Sequence, residues 1–355
     1  MINNSKNIEE SLEHKEKIVL LSHGAGGQLQ NELIKFITKN AVLRRVDDGI
    51  GLDEFDDGAT IPLKEINKDI VITSDGHTIS PIFFPGGDIG ILSATGTIND
   101  LLMMGATPVA ISSIVFIEEG FPFSKLKLIF NSFNKVLESC NVALIGGDTK
   151  VFPKGTLDQI AISTTGIGFK PSNLKILDSN LQPSDKIIIT GTIGDHGAAI
   201  LANRKEINFD TNLVSDVAVL LPIIKQINNL EWIHAMKDPT RGGVAAALNE
   251  WAQKSNVSII LDESKLPIKK EVKSIADILG LDPLELTNEG KALISVSSEY
   301  AEIVLNRIRK TEIGKNAEII GEVSKDHPGK VMIRTFLGGT KFINMPIGEP
   351  VPRIC

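Results

Sequence analysis

Short β-branched runs alternate with segments of helical periodicity in the first half of the chain, and this alternation limits the possible folds most. The run from Ile70 to Thr73 predicts a buried strand, and apolar residues three and four apart predict a helix from Asp88 to Met104. The same reasoning predicts strands at 108–117, 142–145 and 159–167 and a helix at 125–139 with Ser124 as its N-cap. This order predicts an α/β or split α+β domain that ends near Phe169.

A second unit follows residues 171–185, which are rich in Pro, Ser, Asn and Asp, as a linker would be. A strand at 186–190 enters the glycine-rich turn GTIGDHG, and residues 198–202 begin a helix. The remaining predicted elements are helices at 241–254 and 300–310 and strands at 257–261, 292–296, 317–323 and 330–334. The last fifteen residues hold three prolines, so we expect an extended tail there rather than packed structure.

Length and composition exclude several classes of function. A chain of 355 residues suggests about two domains. Its formal net charge of −7 and its 5% aromatic content argue against a general nucleic-acid partner. The longest mostly apolar stretch, 108–117, is far shorter than the ~20 residues of a membrane helix, so we expect no membrane partner. With only Cys140 and Cys355 and no signal-peptide core at the N-terminus, we expect a cytoplasmic location.

Short clusters of Gly and Asp are the candidates for chemistry. Glycine lets backbone amides approach a phosphate closely, and aspartate oxygens bind magnesium. The clusters are SHGAGG (22–27), DDGA (56–59), SDGH (74–77), PGGD (85–88), ND (99–100), GGDTK (146–150) and GDHG (194–197). They suggest a site for a metal–nucleotide complex built from loops, although the P-loop and G-x-G-x-x-G signatures are absent.

Each cluster also has a plainer interpretation. A lone GG or DG is usually only a turn, and the acidic run 48–57 could be a solvated loop. Asp100 could belong to a helix surface, and Lys150 could simply be exposed. Asp75 and Asp148 directly follow apolar strand runs, where ligand groups collect in α/β sheets, so a functional role is favoured for these two. Three histidines, His23, His77 and His196, are treated as ordinary polar loop residues.

Cys355 is the last residue, after PVPRI, and is placed too late for a prenylation signal. An arm that starts at Gly339 could reach on the order of 50 Å. Two interpretations are open: a carrier thiol on a movable arm, or an accidental cysteine at a frayed end. Cys140 precedes a strand and is predicted to be a buried core thiol.

The clusters, together with FFPGGDIGILSATGTINDLLMMGATPVA, DPTRGG, GLDPLELTNEGK and the terminal PRIC, resemble the HypE family of hydrogenase maturation factors. The resemblance runs from about Ile18 to Cys355, and the order of the pieces is its most specific feature. HypE is grouped with ATP-using enzymes such as aminoimidazole ribonucleotide synthetase, selenophosphate synthetase and thiamine-phosphate kinase. The resemblance implies a two-domain α/β fold of the aminoimidazole ribonucleotide synthetase type. Its expected parts are an extension (1–17), a domain that pairs into a homodimeric β-barrel (18–170), a second α/β domain (171–340) and a mobile tail (341–355).

The resemblance also implies roles for individual residues. Mg-ATP would be organised by Asp56, Asp57, Asp75, Asn99, Asp100 and Asp148, with Asp57, Asp75 and Asp148 as metal ligands and Gly146 and Gly147 beside the phosphates. Lys150 and Glu289 would lie around the incoming tail, and Cys355 would be the carrier thiol. A carbamoyltransferase, HypF, would load Cys355. ATP would then drive dehydration to a thiocyanate, and the cyanide would pass to iron on a HypC–HypD scaffold.

Three other functions remain open at this stage. A small-molecule kinase or synthetase of the thiamine-phosphate kinase type would make the tail irrelevant. A selenophosphate synthetase would need a reactive cysteine or selenocysteine in the N-terminal Gly-rich segment, and SHGAGG has none. A non-enzymatic scaffold would use the tail as a docking peptide. A mass shift on the C-terminal peptide after incubation with a carbamoyl donor would distinguish the dehydratase from all three.

Overall fold

The computed structural model describes residues 27–38, 47–51, 54–204, 209 and 211–348. Within these ranges the chain forms two large β-sheets, each with its own helices, connected by the segment after residue 171. The predicted extension at 1–17 and Cys355 lie outside the described residues. None of the helices in the described ranges is long and apolar enough to cross a membrane.

The first domain is built on a five-stranded sheet. Its elements are α1 (Gly27–Thr38), β1 (Ala59–Leu63), β2 (Lys68–His77), β3 (Phe83–Phe84), β4 (Gly87–Asp88), α2 (Ile89–Met103), β5 (Thr107–Glu118), α3 (Phe123–Cys140), β6 (Ala143–Phe152) and β7 (Ile160–Pro171). The strand order in the sheet is β1-β2-β7-β5-β6, and only the β5–β6 pair is parallel. The strands β3 and β4 form a separate small ribbon. The long strand β6 is therefore an edge strand.

The second domain is built on a seven-stranded sheet. Its elements are β8 (Lys186–Ile189), α4 (Asp195–Ala202), α5 (Leu221–Ile227), β9 (Ile233–Lys237), α6 (Gly243–Lys254), β10 (Ser258–Asp262), α7 (Lys270–Leu279), β11 (Leu293–Val296), α8 (Ala301–Ile308), β12 (Glu318–Ser324), β13 (Lys330–Arg334) and β14 (Thr340–Ile343). The strand order is β14-β13-β10-β12-β8-β11-β9. Trp251 on α6 is fully buried in the core of this domain.

Helix α2 lies at the centre of the molecule. Asp88 caps its N-terminus, because its Oδ1 accepts hydrogen bonds from the N–H groups of Gly90 and Ile91 at 2.7 and 3.0 Å. Nearly every residue of α2 is buried, and Ile98 belongs to a core cluster that also contains Leu220 of the second domain. One continuous apolar core therefore joins the two domains around α2 and fixes the residues that α2 presents.

The structure corrects several details of the sequence-based predictions. Ser124 is not the N-cap of α3, which begins at Phe123 without any side-chain cap. GGDTK continues strand β6, SDGH belongs to β2 and the ND pair lies within α2, so these three clusters are not loops. The sequence-based predictions did not include helices α1, α5 and α7, strands β1, β9 and β14, or the small β3–β4 ribbon.

The expectation of an unpacked tail from residue 341 is wrong for its first residues. Lys341–Ile343 belong to β14, which pairs antiparallel with β13. Ile343 is 8% exposed and lies in the core of the second domain. Gly338 and Gly339 form the turn of a β-hairpin, since the Thr335 N–H donates to the Gly339 carbonyl at 2.8 Å. Gly339 is therefore not the start of a free arm.

Candidate functional site

Two lysines of the second domain hold the DDGA loop of the first. Lys237 Nζ lies 2.8 Å from Asp57 Oδ1, and Lys254 Nζ lies 3.1 Å from Asp56 Oδ1. Lys254 also donates to the main-chain carbonyl of Phe55 at 2.7 Å. Burial raises the pKa of Asp56 to about 6, with Lys254 acting in the opposite direction. Asp56 and Asp57 therefore fix where this loop lies against the second domain.

Asp178, in the linker, connects both lysines to the same point. Its Oδ2 lies 3.0 Å from Lys237 Nζ and 2.7 Å from Lys254 Nζ, and its Oδ1 accepts from Trp251 Nε1 at 2.7 Å. Burial acts to raise the pKa of Asp178, but the two lysines outweigh it and keep that pKa below its usual range. The result is a buried network of charges in which every group depends on its partners.

Carboxylates from both domains converge beside this network. The four members of this acidic cluster are Asp57, Asp75, Asp100 and Asp238. Burial and the negative charges of the other three raise the pKa of Asp100 well above its usual range. Burial and the charge of Asp57 raise the pKa of Asp238 to about 8. Because a bound cation relieves repulsion of this kind, the acidic cluster is the candidate functional site.

Asp75 has a different environment from the rest of the acidic cluster. Its Oδ2 lies 3.0 Å from Nε2 of the buried His77, and its Oδ1 accepts the main-chain N–H of Gly76 at 2.7 Å. Burial opposes the ionisation of Asp75, but His77 and the nearby Arg241 outweigh it and lower the pKa. A Cβ at Gly96 of α2 would lie 2.8 Å from His77 Nε2, so this glycine makes room for the pair. Asp75 is therefore held ionised, as a metal ligand must be.

The side chain of Asn99, which was expected to help bind the nucleotide, is instead hydrogen-bonded to the main chain of the second domain. Its Nδ2 donates to the Ala218 carbonyl at 3.1 Å, and its Oδ1 accepts from the N–H of Leu220 at 2.9 Å. Both ends of this buried amide hold the segment that precedes α5. Asp100, the next residue, accepts from the Thr73 hydroxyl at 2.8 Å and belongs to the acidic cluster.

The NEGK segment is a rigid buried loop. The Glu289 N–H donates to Asp216 Oδ1 at 3.1 Å, and Lys291 Nζ lies 3.2 Å from Asp216 Oδ2. A Cβ on Gly290 would lie 1.9 Å from the Asp216 carbonyl oxygen, so only glycine fits there. The side chain of Glu289 is therefore presented from a fixed backbone, with 6% of the residue exposed.

The GGDTK residues are not brought to the acidic cluster of the same chain. The register pairs Asp75 with Thr164, Thr164 with Ser113, and Ser113 with Gly147. Gly147 is thus three strands from Asp75, about 14 Å at the usual strand spacing. Asp148, Lys150 and both glycines are exposed on the edge strand β6. Within one chain, the three predicted metal ligands do not form one site.

The donor set of the acidic cluster fits magnesium that arrives with a nucleotide. In the described ranges, no three His, Cys, Asp or Glu side chains are arranged to hold a metal ion alone. Magnesium usually binds to one or two carboxylates, with phosphate and water oxygens completing its octahedron. Asp75, whose pKa is lowered, and Asp100, whose negative charge is disfavoured by neighbouring carboxylates, would supply the two carboxylate ligands for such an ion.

Sequence reasoning missed Lys237, Asp238 and Asp178. Asp238 directly follows strand β9, the same signal that singled out Asp75 and Asp148, but the strand itself was not recognised. Asp178 lies in a polar linker whose composition gives no sign of burial, although the residue is only 3% exposed.

Comparisons with known proteins agree with this architecture. The model of the AIR synthase related protein N-terminal domain matches residues 55–169, and that of the AIR synthase related protein C-terminal domain matches residues 182–334. A putative hydrogenase expression/formation protein of Methanocaldococcus jannaschii is 51% identical over 337 residues, which are 94% of this chain and 98% of that protein. A carbamoyl dehydratase HypE of Rhizobium leguminosarum bv. viciae is 41% identical over 94% of both chains.

Solved structures give the same result. The crystal structure of a HypE–HypF complex matches with a TM-score of 0.81 and 40% identity over 90% of this chain and 100% of that one. HypE in complex with ATP matches with a TM-score of 0.77 and 37% identity over 95% of this chain and 100% of that one. A thiamine monophosphate kinase from Aquifex aeolicus, with a TM-score of 0.61 and 18% identity over 86% of this chain and 95% of that one, shares the fold.

Proposed function

This chain belongs to the HypE family of carbamoyl dehydratases, and from that membership we propose that it dehydrates a carbamoyl group on its own Cys355 at the expense of ATP. As a carbamoyl dehydratase it acts in hydrogenase maturation. The observation that carries the proposal is the acidic cluster between the two domains, where the pKa of Asp75 is lowered and burial with neighbouring carboxylates raises the pKa of Asp100 and of Asp238, so that a bound cation would be stabilised there.

The chemistry explains why ATP is needed. Loss of water from R–S–C(=O)–NH2 would expel hydroxide or oxide, which are very poor leaving groups. Transfer of the γ-phosphoryl group to the amide oxygen, with loss of one N–H proton, gives R–S–C(OPO3)=NH and ADP. Breaking the C–O bond then expels phosphate while a base takes the second N–H proton, leaving R–S–C≡N. The carbon keeps its oxidation state throughout, so no redox partner is required.

The acidic cluster would hold magnesium on the nucleotide phosphates. Asp75 and Asp100 are the proposed ligands from the first domain, and Asp238 is the proposed contact from the second. Magnesium, when bound, would neutralise charge on the phosphates. Asp57 stays paired with Lys237 in this proposal and positions the loop rather than the ion.

A homodimer would complete the site. Strand β6 is an exposed edge that carries Leu144, Ile145 and Val151, each about half or more exposed (48%, 63% and 64%). A long apolar edge strand is an aggregation hazard unless another chain covers it. We propose that two β6 edges meet and that Asp148 and Lys150 act on the site of the partner subunit. In this arrangement Asp148 would act beside Asp75 of the partner subunit, although it lies far from Asp75 of its own chain.

Lys150 and Glu289 have complementary proposed roles. A lysine near the transferring phosphoryl group would stabilise its charge, and a carboxylate held on a rigid buried loop could accept the N–H proton. We further propose that HypF supplies the carbamoyl group in the cytoplasm, where the thiol stays reduced, and that a HypC–HypD complex accepts the cyanide. The HypE–HypF structure supports the first of these partners.

The decisive experiment measures the mass of the C-terminal peptide. Incubation with HypF, its carbamoyl donor and magnesium without hydrolysable ATP should give S-carbamoyl-Cys355, and addition of ATP should convert it to the S-cyano form. Cys355→Ala should abolish both modifications, whereas the matched Cys140→Ala variant should show both. An unmodified Cys355 in the intact protein, or a modified Cys140, would exclude the proposed carrier.

A further inference from the structure

The main chain near the C-terminus is fastened to the first helix. The N–H of Gln28 donates to the carbonyl oxygen of Pro346 at 2.9 Å. Gln28 lies in the first turn of α1, where an N–H has no acceptor within its own helix. The carbonyl of Pro346 thus supplies a bond that the helix itself cannot make, and it joins two segments more than 300 positions apart in the sequence.

Gly27 makes this contact possible, and Gly242 lies beside it. A Cβ at Gly27 would lie 2.0 Å from the Pro346 oxygen, and the φ of Gly27 is +71°. At Gly242, whose φ is +75°, a Cβ would lie 3.8 Å from Gly27 N and 3.9 Å from Pro346 Cγ. Side chains at Gly27 would therefore push Pro346 away, and Gly242 lies directly beside the same contact.

The residues before Pro346 are held as well. Strand β14 pairs with β13, and Asn249 Nδ2 of α6 donates to the carbonyl oxygen of Ile343 at 3.1 Å. The chain is therefore fixed through Pro346, and nine residues, 347–355, follow it. Gly242 also lies in the loop between β9 and α6, the same loop that begins with Asp238 of the acidic cluster.

We infer that the contact of Pro346 with Gly27, Gln28 and Gly242, here called the anchor, positions Cys355 for the reaction. The inference rests on the proposed role of Cys355 as the carrier. The anchor places the start of the carrier segment at Pro346 rather than at Gly339, and it limits the reach of the thiol to about 31 Å at ~3.4 Å per residue. Because Gly242 is in the same loop as Asp238, the anchor fixes the starting point of this segment, Pro346, relative to the acidic cluster.

The anchor can be tested without activity, by hydrogen exchange at the Gln28 amide. Deleting residues 347–355 removes Cys355 but leaves Pro346, and exchange should stay as slow as in the intact chain. Deleting residues 344–355 removes the acceptor, and exchange should become faster by about fivefold or more. Equal exchange rates in the two truncated proteins would overturn the anchor.

Its positioning role can be tested by insertion. Twenty Gly/Ser residues placed after Ile347 lengthen the free segment from nine to twenty-nine residues, which should lower the rate of S-cyano formation about sixfold. The same insert between Gly338 and Gly339, at the open hairpin turn, lies before β14 and the anchor, and the rate should change less than about twofold.

The outcomes separate this inference from the proposed function. If the intact protein forms no S-cyano-Cys355, the proposed function fails while the exchange test still decides whether the anchor exists. If the intact protein is active but both inserts slow the reaction equally, or neither does, the anchor does not position the thiol. Slow hydrogen exchange at Gln28 in the hairpin-insertion variant would show that its anchor is intact. Fast exchange at Gln28 in that variant, together with an unchanged rate of S-cyano formation, would also overturn the inference.

Discussion

Lys237 and Asp57 form an ion pair across the boundary between the two domains, with Nζ 2.8 Å from Oδ1. The same Nζ lies 3.0 Å from Asp178 Oδ2 and 3.4 Å from Glu250 Oε2. Burial acts to lower the pKa of Lys237, but these carboxylates raise it well above its usual range. One buried cation therefore connects the loop of the first domain, the linker and α6.

Replacing Lys237 with methionine should destabilise the protein strongly. Lys237→Met leaves the buried Asp178 and the half-buried Asp57 and Glu250 without this cation. Loss of one partner of a buried pair costs about 3–5 kcal/mol. Denaturant unfolding measures the effect. Lys315→Met, which breaks the exposed pair with Glu312, should cost less than about 1 kcal/mol. Similar losses in both variants would mean that Lys237 is not a central partner.

Asp75→Asn should weaken the binding of the magnesium that ATP turnover requires. The amide keeps the size of the side chain but removes the charge that binds a hard cation. The magnesium concentration for half-maximal turnover should rise about tenfold or more. Loss of a residue that only hydrogen-bonds to a metal ligand already lowers metal affinity about 10- to 100-fold, and Asp75 is proposed as a ligand itself. Asp158→Asn, an exposed carboxylate on the loop before β7, serves as the control and should leave the magnesium titration unchanged.

Ile145→Asp should convert the proposed homodimer to monomers. A charge on the exposed edge strand β6 would be desolvated without a partner if two such edges meet. Sedimentation velocity measures the oligomeric state, and ATP turnover should fall together with the dimer fraction. Leu337→Asp places the same charge on the hairpin turn, where the side chain is 85% exposed, and should remain dimeric. A dimeric Ile145→Asp protein would argue against this interface.

His196 should make the protein less stable in mild acid. Its Nδ1 lies 2.7 Å from the Ser215 hydroxyl, and burial lowers the pKa of the imidazole to about 4. In the unfolded chain the value is about 6.5, so the unfolded state binds a proton that the folded state excludes. This group should therefore lower the free energy of unfolding by about 3 kcal/mol as the pH falls from about 6.5 to about 4.

Denaturant unfolding curves across this pH range give the free energy of unfolding of the intact protein and of two histidine variants. His196→Gln should lose this part of the pH dependence, whereas His327→Asn, at an exposed position, should retain it. If the intact protein and His196→Gln have parallel curves, the buried imidazole does not titrate as stated.

The sequence by itself determined most of the central strands and helices of both domains, among them β2, α2, β5 and β7 of the first and β8, α6, β10 and β12 of the second, because hydrophobic periodicity reports local burial directly. It also favoured Asp75 because this residue follows an apolar run, whereas Asp100 was assigned only through the family resemblance. The sequence did not predict helix α7. It also predicted that packed structure ends before residue 341, because the prolines after Ile343 indicate an extended tail, whereas β14 forms a strand through its pairing with β13.

Only the tertiary structure decided which of these residues meet. Asp148 follows an apolar run just as Asp75 does, yet strands β7 and β5 separate them in the sheet, and no local pattern contains the strand order. The partners of Lys237 come from residues 57, 178 and 250, and Pro346 meets Gln28 across almost the whole chain. Such contacts depend on how separate elements pack around α2, whereas sequence patterns record only the environment of each element alone.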